Sequence, residues 1–289
     1  MVENPQMWQI IFLPVKCMNH KYRVVEVSVV DRDMCKWKIY IVTHQKIYPA
    51  LFQVDTKFNN QNYCFLNVGA TPKLENSEEF CCIAQRDLPN YVALGKYWTE
   101  SEGIYNIWRS GIYKELDFIG FLHYDKELRL IKGFGNKTNI TERIEKYLYN
   151  KDRAHISFEC HSTRWDYAQN FMADTSRPNE PQGDGVNCYS YILADYNEFF
   201  HTNYTVKDLL RHRYINLCSC FLIDIKTFDK MMKFFDWIVQ SHRLEVFDTE
   251  HKHRFQGILA ERYFGIFLLL EYKEYKNLSI VHQYDRGLK

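Results

Sequence analysis

The sequence predicts an α/β protein with a mainly parallel sheet flanked by helices. Two observations carry this reading. Short runs that are apolar on both faces recur along the chain, as buried parallel strands require. Longer segments with helical apolar spacing separate them, which is the alternation of a sheet with crossover helices. A third feature follows from these: the apolar runs end in polar residues, at Thr43-His44, Asn67-Val68-Gly69 and His123-Tyr124-Asp125.

Taken in order, residues 7–15 and 22–30 are rich in β-branched residues and read as strands. With the segment up to residue 37 they form a β-rich N-terminal extension, ahead of a main domain over 38–289. Residues 38–44 and 63–68 are the first strands of that domain. The stretch 90–111 has Trp98, Ile104, Tyr105, Ile107 and Trp108 at helical spacing, with Gly111 as the stop. Residues 117–123 (DFIGFLH) form the next buried strand and 155–158 a short one. Between them 140–149 is helical, capped by Asn139 or Thr141. Residues 175–187 hold two prolines and two glycines and read as a long loop. A strand over 217–225, helices over 227–242 and 254–270, and a terminal strand over 278–282 complete the domain.

Composition narrows the function. Of 289 residues, 46% are apolar and 25% charged, ordinary for a chain with a sizeable core. Lys+Arg is 37 against 36 for Asp+Glu, so no basic excess points to nucleic acid. Aromatics at 16% suit a well-filled core and a groove for ring-shaped ligands. No apolar run reaches membrane-spanning length and no signal peptide is evident, so the expectation is a soluble, cytoplasmic protein, at most peripheral to a membrane. The nine cysteines include no C-x-x-C pair and read as reduced, mostly buried thiols. Nothing in the sequence signals an oligomeric state.

The polar strand ends carry the chemistry, because ligands of open α/β sheets bind beyond the carboxyl ends of strands. His123 and Asp125 stand two apart on an extended chain and project to one face. An imidazole and a carboxylate so placed suit a divalent metal, Mn²⁺ or Mg²⁺, which would neutralise a diphosphate. The bland alternative is a polar turn in which Asp125 pairs with Lys126. Phosphate-binding glycine loops and the serine-hydrolase elbow are absent.

In order, the segments IYIVTH (39–44), NVGA (67–70), ESEGIYNIWRSG (100–111), FIGFLHYDKEL (118–128), LCSCFLIDIKTFDKMMKFF (217–235) and FQGILAERYFGIFLL (255–269) resemble the glycosyltransferase-like domain family of capsular polysaccharide and lipopolysaccharide synthesis proteins. The resemblance covers roughly residues 38–270. It implies a GT-A-like, Rossmann-like fold and transfer of a sugar from a nucleoside diphosphate sugar to a glycan acceptor. It further implies that Thr43, His44, Asn67, Gly69, Glu102 and Tyr124 border the donor. The family's aromatic pair falls on Tyr105 and Trp108. His123-Tyr124 falls on the family's His-Tyr, but Asp125 stands where the family usually has Arg, which favours a metal-dependent site. His282, ending the last strand, is the candidate for a further ligand. Glu261 is the family-matched candidate for the base that takes the acceptor proton, with Asp248 and Asp184 as alternatives. Two rival readings are a non-catalytic carbohydrate-binding protein and a nucleotidyl- or phosphoryl-transfer enzyme.

Overall fold

A computed structural model describes residues 35–43, 62–68, 81–95, 98–123, 126–127, 140–169, 188–244, 255–277 and 281–282, all within one compact unit, Met34–Lys289. The predicted N-terminal strands therefore lie outside the described residues. In chain order the elements are β1 (Trp37–Thr43), β2 (Tyr63–Asn67), β3 (Cys81–Ala84), α1 (Thr99–Ser110), β4 (Phe118–His123), β5 (Lys126–Glu127), α2 (Ile140–Leu148), β6 (His155–Ser157), β7 (Cys160–Ser162), α3 (Thr163–Gln169), α4 (Cys188–Phe200), α5 (Val206–Leu210), β8 (Tyr214–Asn216), β9 (Phe221–Asp224), α6 (Ile225–Gln240), α7 (Phe255–Glu271), β10 (Lys276–Asn277) and β11 (Val281–His282).

Among the described residues, seven strands form the main sheet, in the order β10-β6-β9-β4-β1-β2-β3. Every described pairing in it is parallel except the two made by β9. This is the α/β fold with a mainly parallel sheet that the sequence predicts. Two ribbons, β5 with β11 and β7 with β8, stand apart from it.

Alternation along the strands explains their two-sided burial. Tyr40, Val42, Ile119, Phe121, Phe221 and Ile223 face a large core shared with α1, α4, α6 and α7. Ile39, Ile41, Leu122, Ile156 and Leu222 face a smaller core that includes Ile144 and Leu148 of α2. The large core is where the aromatics go: Phe121, Phe228, Phe234, Phe235, Tyr263, Phe264 and Phe267 are all buried there. All eight described cysteines are free thiols, three buried and five half-buried, so fewer are buried than the sequence reading expects.

Three boundaries differ from expectation. The helix predicted from Asn90 begins only at Thr99. The preceding segment runs extended because α1 clasps it: Asn106 Oδ1 accepts from Val92 N at 2.8 Å, and Glu102 Oε2 accepts from Leu94 N at 3.0 Å and Gly95 N at 2.9 Å. The strand predicted over 217–225 begins at Phe221, because Cys218 and Ser219 adopt φ of 56° and 50° and turn the chain. The helix predicted from Thr227 starts at Ile225, with Asp224 as its N-cap accepting from Thr227 N at 2.9 Å. Of the predicted terminal strand only Val281–His282 is described, and it pairs with β5 outside the main sheet.

Candidate active site

The strand order reverses beside β1. From there β2 and β3 follow on one side, and β4 lies on the other. This switch in strand order, at the carboxyl ends of β1 and β4, is the place where sheets of this kind bind ligands. His123 is the last residue of β4, in register with Val42 of β1. By alternation it shares the face of Ile119 and Phe121, so its imidazole points to the side covered by α1 and α7.

Those two helices bring carboxylates to it. Glu100, in the first turn of α1, places Oε1 3.4 Å from His123 Nε2. Glu261 of α7 completes a triad in which the three ligand atoms lie within 4.8 Å of one another. Close backbone approach makes this possible. A Cβ on Gly103 would sit 2.6 Å from Val68 Cγ1, so glycine lets α1 press onto the ends of β1 and β2. A Cβ on Gly265, one turn beyond Glu261, would sit 2.3 Å from the carbonyl oxygen of Asn216, so glycine also seats α7 against β8.

Glu100 is 2% exposed. Burial acts to raise its pKa, but the hydrogen bond and charge of His123, with the Thr99 hydroxyl, outweigh it and hold the carboxyl well below the usual carboxylate range. Thr99 itself has φ of 49°, a left-handed conformation that a β-branched residue rarely adopts. The α1 N-terminus is therefore held in a strained entry beside the triad. Two carboxylate oxygens and one imidazole nitrogen form a donor set that fits a divalent cation such as Mn²⁺ or Mg²⁺.

The chain resembles the apo structure of the bifunctional glycosyltransferase WbbM with a TM-score of 0.54, at 16% identity, over 85% of this chain and 44% of that one. The two share a fold. This chain therefore spans less than half of the WbbM chain. A second match, the S. cerevisiae mannosyltransferase Ktr4p in complex with GDP, has a TM-score of 0.34 at 11% identity, over 81% of this chain and 66% of that one, too distant to support an argument. No family model and no curated protein matches the sequence.

Within this WbbM-like fold the predicted site residues fall in three groups. His123 and Glu261 come together, though they lie on separate elements 138 positions apart in the sequence. Thr43 and Asn67 are register partners at the ends of β1 and β2, both buried. Their parity matches Ile41 and Phe65, so they face the side of the sheet opposite His123. The Asn67 amide nitrogen has no hydrogen-bond partner among the described residues.

Glu102 is turned elsewhere. Its position is about 200° around the helix from Glu100, and its carboxylate accepts four hydrogen bonds, from Gln85 Nε2, Tyr91 Oη, Leu94 N and Gly95 N. These bonds make it an organiser of the 85–95 loop. Tyr105 and Trp108 likewise bond within the fold, to Asp236 at 2.5 Å and Asp229 at 3.0 Å on α6. His44, Gly69, Tyr124, Asp125, Asp184 and Asp248 lie outside the described residues. His282 stands opposite Lys126 in the β5–β11 ribbon, which returns the C-terminal backbone to the chain just beyond β4.

Glu100 is the residue that sequence reasoning passed over. The signal was present in Thr99-Glu100-Ser101-Glu102, an acidic first turn suited to the helix dipole. Only the true helix start separates the carboxylate aimed at the strand end from the one aimed at the loop.

Proposed function

We propose that the chain is a GT-A-type glycosyltransferase that moves a sugar from a nucleoside diphosphate sugar to a glycan acceptor with the help of a divalent metal. The observation that carries this reading is the Glu100–His123–Glu261 triad at the end of β4, beside the switch in strand order. Transfer breaks the bond between the anomeric carbon and the diphosphate, and the acceptor oxygen that replaces it gives up its proton. Glu100 and Glu261 would offer oxygen ligands and His123 a nitrogen ligand. A cation held there supplies positive charge opposite the departing diphosphate. Asp125 and His282 are proposed as further ligands, and Tyr124 as a donor contact.

The depressed pKa of Glu100 keeps it charged and able to serve as a ligand throughout the neutral range. Thr43 and Asn67, with His44 and Gly69 just beyond them, would border the nucleotide, and the amide of Asn67 is a donor suited to it. With Glu261 in the triad, Asp248 and Asp184 are the candidates for accepting the acceptor proton.

The test is release of nucleoside diphosphate from a panel of nucleotide sugars with Mn²⁺ or Mg²⁺, with and without saccharide acceptors. Turnover is expected only with metal. Glu100→Gln and His123→Ala are each expected to lower it more than about 100-fold, beyond the 10–100-fold typical of residues that only support a metal ligand. Folded variants that turn over donor at the parental rate would sink the proposal.

A further inference from the structure

A second cluster lies on the same edge of the sheet. Phe121 of β4, Phe221 of β9 and Ser157 of β6 are in register. Two residues beyond that level on β4 is His123, and two beyond it on β6 is Glu159. There Glu159 meets His161 of β7 and Cys218 of the β8–β9 turn, and one ligand atom from each lies within 4.8 Å of the others. We infer that Glu159, His161 and Cys218 form a second metal site, distinct from the Glu100–His123–Glu261 triad and suited to Zn²⁺.

The donor set points to the ion. A thiolate is a soft ligand that Mg²⁺ and Mn²⁺ do not favour, while sulfur, imidazole and carboxylate together suit zinc. Three protein ligands leave a fourth tetrahedral position for water or a ligand oxygen. Tetrahedral zinc with Zn–S about 2.3 Å and Zn–O about 2.1 Å sets sulfur and oxygen about 3.6 Å apart. Cys218 Sγ and Glu159 Oε1 are 3.5 Å apart. His161 Nε2 and Glu159 Oε1, at 2.9 Å, are joined by a hydrogen bond. On loading, Cys218 releases its thiol proton to solvent, and the imidazole turns the lone pair of its neutral form to the ion.

The frame around the cluster is built independently of these three side chains. Asn216 Nδ2 lies 2.6 Å from Ser157 Oγ, 3.3 Å from the Glu159 carbonyl and 2.7 Å from the Cys220 carbonyl, and so ties together the two loops that carry the ligands. Cys218 and Ser219 are consecutive non-glycine residues in the left-handed region, at φ of 56° and 50°. Such strain persists where surrounding structure enforces it and gathers at functional sites. The Ser219 side chain is 3% exposed, and its hydroxyl has no hydrogen-bond partner among the described residues.

The test uses the full chain, stripped with chelator and titrated with Co²⁺ and then Zn²⁺. Co²⁺ is expected to give a sulfur-to-cobalt charge-transfer band at one equivalent, bleached by Zn²⁺. The band should persist in Glu100→Gln and vanish in Cys218→Ser. A measurement on the unaltered protein guards against misfolding of that variant. Zn²⁺ should slow alkylation of the Cys218 peptide at least tenfold, read by mass spectrometry, and leave the Cys35 peptide unchanged. No charge-transfer band, or alkylation of Cys218 unaffected by Zn²⁺, would overturn the site. Loss of the band in Glu100→Gln but not in Cys218→Ser would do the same.

Discussion

Single side chains set the pH response of this protein. His155, on β6 next to the edge strand β10, is 3% exposed, and its ring packs against Tyr272 at 5.0 Å and Tyr275 at 5.5 Å. Burial alone pushes its pKa down from 6.5 to about 3. Between those values the unfolded chain takes up a proton that the folded chain refuses. Stability from this residue is thus complete above its unfolded pKa and falls as the pH drops toward 3. Moving from pH 7.5 to pH 5 should cost about 2 kcal/mol through His155. In urea unfolding, His155→Phe is expected to lose less stability over that interval than the parent, by about that amount. Equal losses in the two proteins would show that the imidazole is not buried neutral. Glu100 acts in the same direction at lower pH, although it is buried charged and not neutral. Its depressed pKa stabilises the fold above the ordinary carboxylate range, and that contribution is lost as acid protonates it.

At the scale of elements, the triad depends on how tightly two helices reach the sheet. Gly265 seats α7, and any side chain there meets the backbone of β8 rather than a flexible neighbour. Gly265→Ala is expected to destabilise the protein by about 1–3 kcal/mol, the usual range for overpacking. It should also lower donor turnover, because α7 carries Glu261. Calorimetry and the nucleotide-release assay read the two effects. An unchanged Tm would mean that α7 does not approach β8 as closely as described. The sequence announces α7 by its apolar character but gives no amphipathic face to orient it, since the helix is buried nearly all round. That Glu261 faces His123 while its neighbour Arg262 pairs with Asp166 at 3.3 Å is a fact of packing.

At the scale of the molecule, the carboxyl edge of the sheet should report its ligand through stability. A ligand that binds only the folded state at 100 times its Kd adds about 2.7 kcal/mol, which for a domain of this size is a shift of roughly 5–10 °C. Nucleoside diphosphates are expected to raise Tm in the presence of Mn²⁺ and to have little effect without it. The metal-dependent part should disappear in His123→Ala. A nucleotide shift of the same size with and without metal would dissociate nucleotide binding from the triad. No helix among the described residues is long and apolar enough to cross a membrane, in keeping with the absence of long apolar runs in the sequence.

The sequence by itself determined the fold class, because strands buried on both faces and helices with an apolar side are written in the local spacing of residues. It also singled out His123, because a polar residue ending an apolar strand is visible without any partner. Local pattern could not supply β3, β7 and β8, strands of three or four residues, too short to show a period. Nor could it join residues far apart in the chain. Which of Glu100 and Glu102 reaches the strand end depends on where α1 begins, and that start is enforced by the strained Thr99 and the clasped 91–95 segment. The tertiary structure alone decided that His123 meets Glu100 and Glu261, and that Glu159, His161 and Cys218 meet one another. Both clusters are made by strand order and helix seating, which belong to the whole chain and to no segment of it.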